Sequence, residues 1–266
     1  MHQPGTFFDV ETGAEAQFHL DMVNDKNFKL LQRFGYIELE SPHREFQVPR
    51  DLDAFCTDLT STPAYFTWLV PSTGAHLPAA LLHDGMVYNK EKEGATYIGP
   101  AVSRLEADVI FRDAMKALGT GPIRRWIVWS AVTLVTSWVD LPPRLLWRSL
   151  GVLTAVVMLI LGTLATADLF DWISFYPWMG ERSFVTELIA GGIGAILLPA
   201  IICIPWRRLY PAALIATILF AFLIHVTIVI AVLLGSYHLI EWFAKKIEHV
   251  VAGFQDSPAP QEQPQT

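Results

Sequence analysis

The chain is poor in cysteine and poor in charge. Its 266 residues include only Cys56 and Cys203. Two thiols cannot build a disulfide framework, and alone they cannot build a zinc centre. Charged residues make up 17% of the chain, against roughly 25% in an ordinary soluble domain. Positive charge is in deficit: 19 Lys and Arg stand against 26 Asp and Glu, a net of −7. That balance excludes a binder of nucleic-acid backbones. The first 30 residues carry Asp9, Glu11, Glu15, Asp21 and Asp25 and lack an apolar signal-peptide core. A cytoplasmic front half with reduced thiols is the expectation.

Apolar residues are abundant instead, at 52%, with a mean hydropathy of +0.36. They are unevenly placed. Residues 1–143 hold 12 Lys/Arg and 18 Asp/Glu, whereas residues 144–266 hold 7 and 8. After Pro143 three apolar runs follow, at about 150–167, 188–205 and 209–240. A membrane-spanning helix needs about 20 mostly apolar residues, and three such runs in series predict an all-α transmembrane bundle. The chain therefore reads as an α+β soluble domain, mostly helical with a small β-hairpin or sheet, followed by three spanning helices. The expected divisions are an N-terminal extension at 1–26, a soluble domain at 27–143, a membrane region at 144–244 and a disordered polar tail at 245–266.

Arg124, Arg125, Arg144 and Arg148 precede the first run, and Arg207 and Arg208 lie between the second and third. The positive-inside rule puts both places, and so the soluble domain, on the cytoplasmic side of a cell or inner membrane. Lys245 and Lys246 after the third run oppose this mildly. Trp147, Trp172, Tyr176, Trp178, Trp206, Tyr210 and Trp242 cluster at run ends, as interfacial aromatics do. Gly151 with Ala155 and Gly191 with Ala195 give a spacing that permits close helix approach, so homo-oligomerisation is one expected partnership beside the bilayer itself. His225, within the third run, reads either as a relay group or as a polar group at a helix contact.

In the front half, Phe34, Tyr36 and Ile37, then Phe46 and Val48, flank turn residues Ser41 and Pro42 and predict a β-hairpin. Pro63 opens a short helix through Trp68. Pro78 opens another through Ala79–Asp84. Ser103 and Glu106 form a capping box for a helix that runs to Leu118. A segment from Arg124 to Trp138 is apolar but short. It suits a buried or interfacial helix better than a fourth span.

The chemistry-bearing residues are few. His83 and Asp84 end one helix and Asp108 lies on the next. Packed antiparallel, the two helices let Asp108 accept from the His83 imidazole, which fixes the other ring nitrogen as a base. Asp84 then points elsewhere and is free to bind a hard cation such as calcium, with Asp58 as a further ligand. That set suits metal-assisted hydrolysis of an ester or amide. The competing reading is structural: Arg104 and Asp108 are a helix i,i+4 pair, and Asp58 caps a turn.

Six pieces in fixed order carry a resemblance: FQVP at 46–49, TDLTSTP at 57–63, TWLVP at 67–71, PAALLHD at 78–84, SRLEADVIFRDAM at 103–115 and GTGPIRRWIVWSAVTL at 119–134. From Asn27 to about Thr136 the chain resembles an uncharacterised bacterial and phage family, domain of unknown function number 1353. Members with a membrane-spanning C-terminal extension resemble those of actinobacteria and their phages. A weaker similarity is to secreted phospholipases of the A-two class. It implies His83 as the water-activating base, Asp84 as a calcium ligand and Asp108 as the support of the histidine. That pattern also implies a tyrosine four residues after the histidine, but Tyr88 falls five after it, and the disulfides and glycine-rich calcium loop are absent. Thr57, Arg104 and Tyr88 are expected in structural or substrate-positioning roles. Two functions follow as expectations: a membrane-surface hydrolase, or a phage-related scaffold or partner-binding protein in which these residues are structural.

Overall fold

A computed structural model describes residues 2–24, 27–40, 42–59, 74–87, 96–179 and 182–255, without the side chains of 224–229 and 249–255. The expected helix at Pro63–Trp68, the residue Tyr88, the His225 side chain and the tail beyond Gln255 lie outside the described residues. The chain divides into one unit at 1–224 and another at 225–266.

The first unit opens with two small antiparallel sheets. In one, β1 (Phe7–Asp9) and β5 (Glu45–Val48) flank β4 (Phe34–Ile37). The predicted hairpin is the β4–β5 pair, with Phe34 opposite Val48 and Tyr36 opposite Phe46. Phe34, Tyr36, Phe46 and Val48 are all buried. Gly35 is required here because the Phe8 ring lies where a Cβ would stand. In the other sheet, β3 (Phe28–Leu30) sits between β2 (Leu20–Met22) and β6 (Cys56–Thr57). Residues ahead of 27, expected as an extension, thus add a strand to each sheet.

Two helices cover these sheets. α1 (Leu77–Val87) is built of Ala, Leu and Met and is buried on nearly all sides. It lies against β5, and Gly85 makes that approach feasible, since a Cβ there would overlap the Val48 methyls. α2 (Arg104–Ala117) starts at the predicted capping box: Ser103 Oγ accepts from Glu106 N at 3.2 Å, and Glu106 Oε2 accepts from Ser103 N at 3.4 Å. Ala107, Ile110, Phe111, Ala114 and Met115 line its inner face, at the i, i+3, i+4 spacing of an amphipathic helix.

α3 (Pro122–Val139) links this domain to three helices long and apolar enough to cross a membrane. These candidate spans are α4 (Arg144–Leu169), α5 (Phe184–Ile202) and Ile204–Leu223. The last comprises a 3-10 turn at Ile204–Leu209 and the start of α6 (Tyr210–Gln255). The front half and the apolar half therefore form an α+β domain followed by a three-helix region. α4 begins six residues ahead of the expected Leu150, because nothing after Pro143 breaks a helix and the exposed Arg144 and Arg148 fit its first turns.

The membrane-proximal end has its own core. Leu141, Trp147, Cys203, Trp206, Leu209 and Ala213 are buried together, with Leu105, Leu134, Leu150 and Tyr210 packed against them. Trp206 Nε1 donates to Thr154 Oγ1 at 3.1 Å. Trp147 and Trp206 are thus buried in protein, whereas Trp172 is exposed, as an interfacial residue would be. At the far end, Asp168 Oδ2 accepts from Phe175 N and Tyr176 N, which ties the α4–α5 loop back to α4.

In the second unit α6 continues as helix past the apolar run, through Glu241, Lys245 and Lys246 to Gln255. Lys245 pairs with Glu241 at 3.4 Å, one turn apart, and the Lys246 ammonium sits 5.1 Å from the Trp242 ring centroid. The first of these is the helix-stabilising i,i+4 arrangement. Residues 245–255, expected as part of a disordered tail, are therefore helical.

Candidate functional site

The site is assembled where α1 packs on α2. His83 lies on the second turn of α1 and Asp108 on the second turn of α2. His83 Nε2 and Asp108 Oδ1 are 2.8 Å apart. A carboxylate only accepts, so Nε2 is the donor, and Nδ1 is the basic nitrogen of the neutral ring. Nδ1 makes no hydrogen bond among the described residues. His83 is 8% exposed and Asp108 is fully buried. The imidazole is further held by Phe111, whose ring centroid is 5.0 Å away. Among the described residues Asp108 Oδ2 is buried without a hydrogen-bond partner, which costs stability.

Asp84 follows His83 and points to a different neighbour. Thr57 Oγ1 donates to Asp84 Oδ2 at 2.5 Å and accepts from Leu59 N at 2.9 Å. The β3–β6 pairing sets Thr57 opposite Phe28, which fixes the hydroxyl in front of α1. Burial pushes the Asp84 carboxyl up to about 6; the Thr57 bond and the His83 ring pull it down, and Asp58 pushes it up. Asp58 itself is exposed.

The predicted residues therefore fall into two contacts and some remainders. His83 meets Asp108, and Asp84 meets Thr57. Arg104 makes no ion pair with Asp108, so the expected i,i+4 pair does not form, and among the described residues its buried Nε has no hydrogen-bond partner. Tyr88 lies outside the described residues. Among the described residues no three His, Cys, Asp or Glu side chains converge on a metal position. Asp84 and Asp58 alone fall short of the six to eight oxygens calcium takes.

One charged group was missed. Arg112 pairs with Asp113 at 2.9 Å and lies 4.8 Å from the Trp126 ring and 5.6 Å from the Trp129 ring. The Trp-x-x-Trp spacing at the start of α3 was the signal, since it puts both rings on one helix face.

The family model described as "Protein of unknown function (DUF1353)" matches residues 28–132. That region, which holds His83, Asp84 and Asp108, is a domain of this family, and the three candidate spans lie outside the match. No curated protein and no solved structure matches the chain.

Proposed function

From a DUF1353-family domain joined to three candidate membrane spans, we propose a membrane-anchored hydrolase whose soluble domain faces the cytoplasm. The observation that carries it is the 2.8 Å bond between His83 Nε2 and Asp108 Oδ1. Asp108 holds the ring in one tautomer and balances the charge that forms when Nδ1 takes a proton. Nδ1 removes a proton from water, and the water oxygen attacks an ester or amide carbonyl. The C–O or C–N bond then breaks, and the proton on Nδ1 passes to the leaving alkoxide or amine. The products are a carboxylic acid and an alcohol or amine.

The placement of the dyad supports a substrate at the membrane surface. Leu105 packs on the cluster of Trp147 and Trp206 at the end of the spanning helices. Asp108 is three residues further along α2, about 4.5 Å of rise. The cytoplasmic side is supported by Arg144, Arg148, Arg207 and Arg208 at the same end.

The test is hydrolysis of lipid, ester and peptide panels by the full chain, by His83→Ala and by Asp108→Asn. Loss in both variants with retained fold is the expected result. Equal activity in wild type and His83→Ala refutes the base. Calcium addition and chelation form a separate arm for Asp84 and Asp58, with loop carbonyls or water as the remaining ligands.

A second reading rests on one observation. The His83 ring is nearly enclosed and packs on Phe111, as a structural histidine would. In that case the domain is a scaffold or partner-binding module, phage-related as its family resemblance implies. His83→Gln would then lower stability with no activity to lose.

A further inference from the structure

From Ser130 onward, α3 is inverted relative to a helix of a water-soluble domain. Beyond the buried Val128 and Trp129, the buried side of α3 is all hydroxyl: Ser130, Thr133, Thr136 and Ser137. Its open face is apolar: Ile123 is 77% exposed, Val135 54% and Trp138 44%. Ala131, Val135, Trp138 and Val139 fall at i, i+4, i+7 and i+8 and form one stripe. Arg124, seven residues before Ala131, stands at the head of that stripe and is exposed, with the half-buried Arg125 beside it. Water would favour the opposite arrangement on both faces.

We infer that α3 lies in the membrane–water interface, with this stripe in contact with lipid and Arg124 and Arg125 on anionic headgroups. Position in the fold supports that occupant. α4, the first candidate span, begins five residues after Val139. Arg148 of α4 donates Nε to the Trp138 carbonyl at 2.9 Å and lies 5.8 Å from the Trp138 ring centroid. Leu134 packs on the Trp147 and Trp206 cluster. The C-terminal half of α3 is therefore fixed to the ends of the spanning helices and sits at their level.

Charge agrees with the position. Arg124 and Arg125 at the start of α3 join Arg144 and Arg148 at the start of α4, and no acidic residue lies within α3. Basic groups at a membrane surface favour anionic lipid. α3 itself is not among the candidate spans: Ser130, Thr133, Thr136 and Ser137 are buried in protein rather than open to lipid. An interfacial helix of this kind would hold the domain flat on the bilayer. The inference stands on α3 and α4 alone and does not need the hydrolase reading.

The test uses the full chain in phosphatidylcholine vesicles, with and without phosphatidylglycerol. In a Cys56→Ser/Cys203→Ser background, single cysteines at Ala131, Val135 and Val139 carry a nitroxide label, and Val109 on α2 serves as the aqueous control. The expected result is a ratio of oxygen to nickel-chelate accessibility several-fold higher on α3 than at 109. It should rise further with phosphatidylglycerol, and Arg124→Gln/Arg125→Gln should remove that rise. A ratio equal to that at 109 overturns the inference. So does low access to both probes, which would mean protein covers the stripe. If the cysteine-free chain fails to fold, a genetically encoded photo-crosslinker at Val135 in the native chain gives the same decision. Crosslinks to lipid support the inference, and crosslinks to a second copy overturn it.

Discussion

Asp84→Asn should stabilise the protein at neutral pH and leave it unchanged in acid. The carboxyl is raised from 3.8 to about 6, mainly because burial penalises its charge. In the unfolded chain the same group titrates near 3.8. Between those two values the folded state keeps a proton that the unfolded state has lost. Stability from Asp84 is therefore complete below pH 3.8 and falls as pH rises towards 6. A difference from 3.8 to about 6 corresponds to about 3 kcal/mol at pH 7.5.

Asparagine removes the charge and keeps an oxygen for the Thr57 hydroxyl. The variant should gain about 3 kcal/mol at pH 7.5 and almost nothing near pH 4. At about 2–4 °C per kcal/mol for a domain of this size, the gain is roughly 6–12 °C in Tm. Thermal unfolding in detergent, with a chelator present, reads it directly. An equal gain at both pH values, or none at either, refutes the reasoning. A carboxylate kept ionised beside His83 at this cost is the pattern of a group retained for function.

Three other outcomes are expected. Asp108→Asn should lower any His83-dependent hydrolysis by about 10²–10⁴-fold, the range of a lost acid–base partner, and unchanged turnover would remove Asp108 from the mechanism. Gly85→Ala sets a methyl against Val48 and should cost about 1–3 kcal/mol of overpacking; chemical denaturation gives the value. Ser103→Ala breaks the capping box of α2 and should cost about 1 kcal/mol, with the α2 amides exchanging hydrogen faster as the local readout.

Local signals were legible where a single periodicity or cap decides the outcome. Ser103 and Glu106 start α2 because their spacing satisfies two backbone donors at once, and that information is local. The β4–β5 hairpin was legible for the same reason: alternating Phe34, Tyr36, Phe46 and Val48 fix one register. The strands at Phe7–Asp9 and Leu20–Met22 were not. Each is three residues long and exists only because a distant partner, β4 or β3, offers an open edge. The His83–Asp108 contact was legible because a histidine late on one helix and an aspartate on the next meet when the helices pack antiparallel. The Thr57–Asp84 bond was harder to see. It depends on a two-residue strand, β6, whose place is set by β3.

α3 shows where composition misleads. Its residues read as a short apolar segment, and the choice lay between burial and the interface. Which face is buried is not a property of the sequence alone: Ser130, Thr133 and Ser137 share one helix face, and Ala131, Val135 and Trp138 share another. Packing decides it. The hydroxyl side is buried, and there Ser130 and Ser137 donate to the α3 carbonyls of Ile127 and Leu134. The bulky side chains are left outward. A neutral hydroxyl can bond a carbonyl of its own helix, as Ser130 and Ser137 do, whereas the apolar surface of Val135 and of the Trp138 ring gains nothing from water. With the hydroxyls against protein and Val135 and Trp138 outward, that face suits the membrane interface inferred for α3.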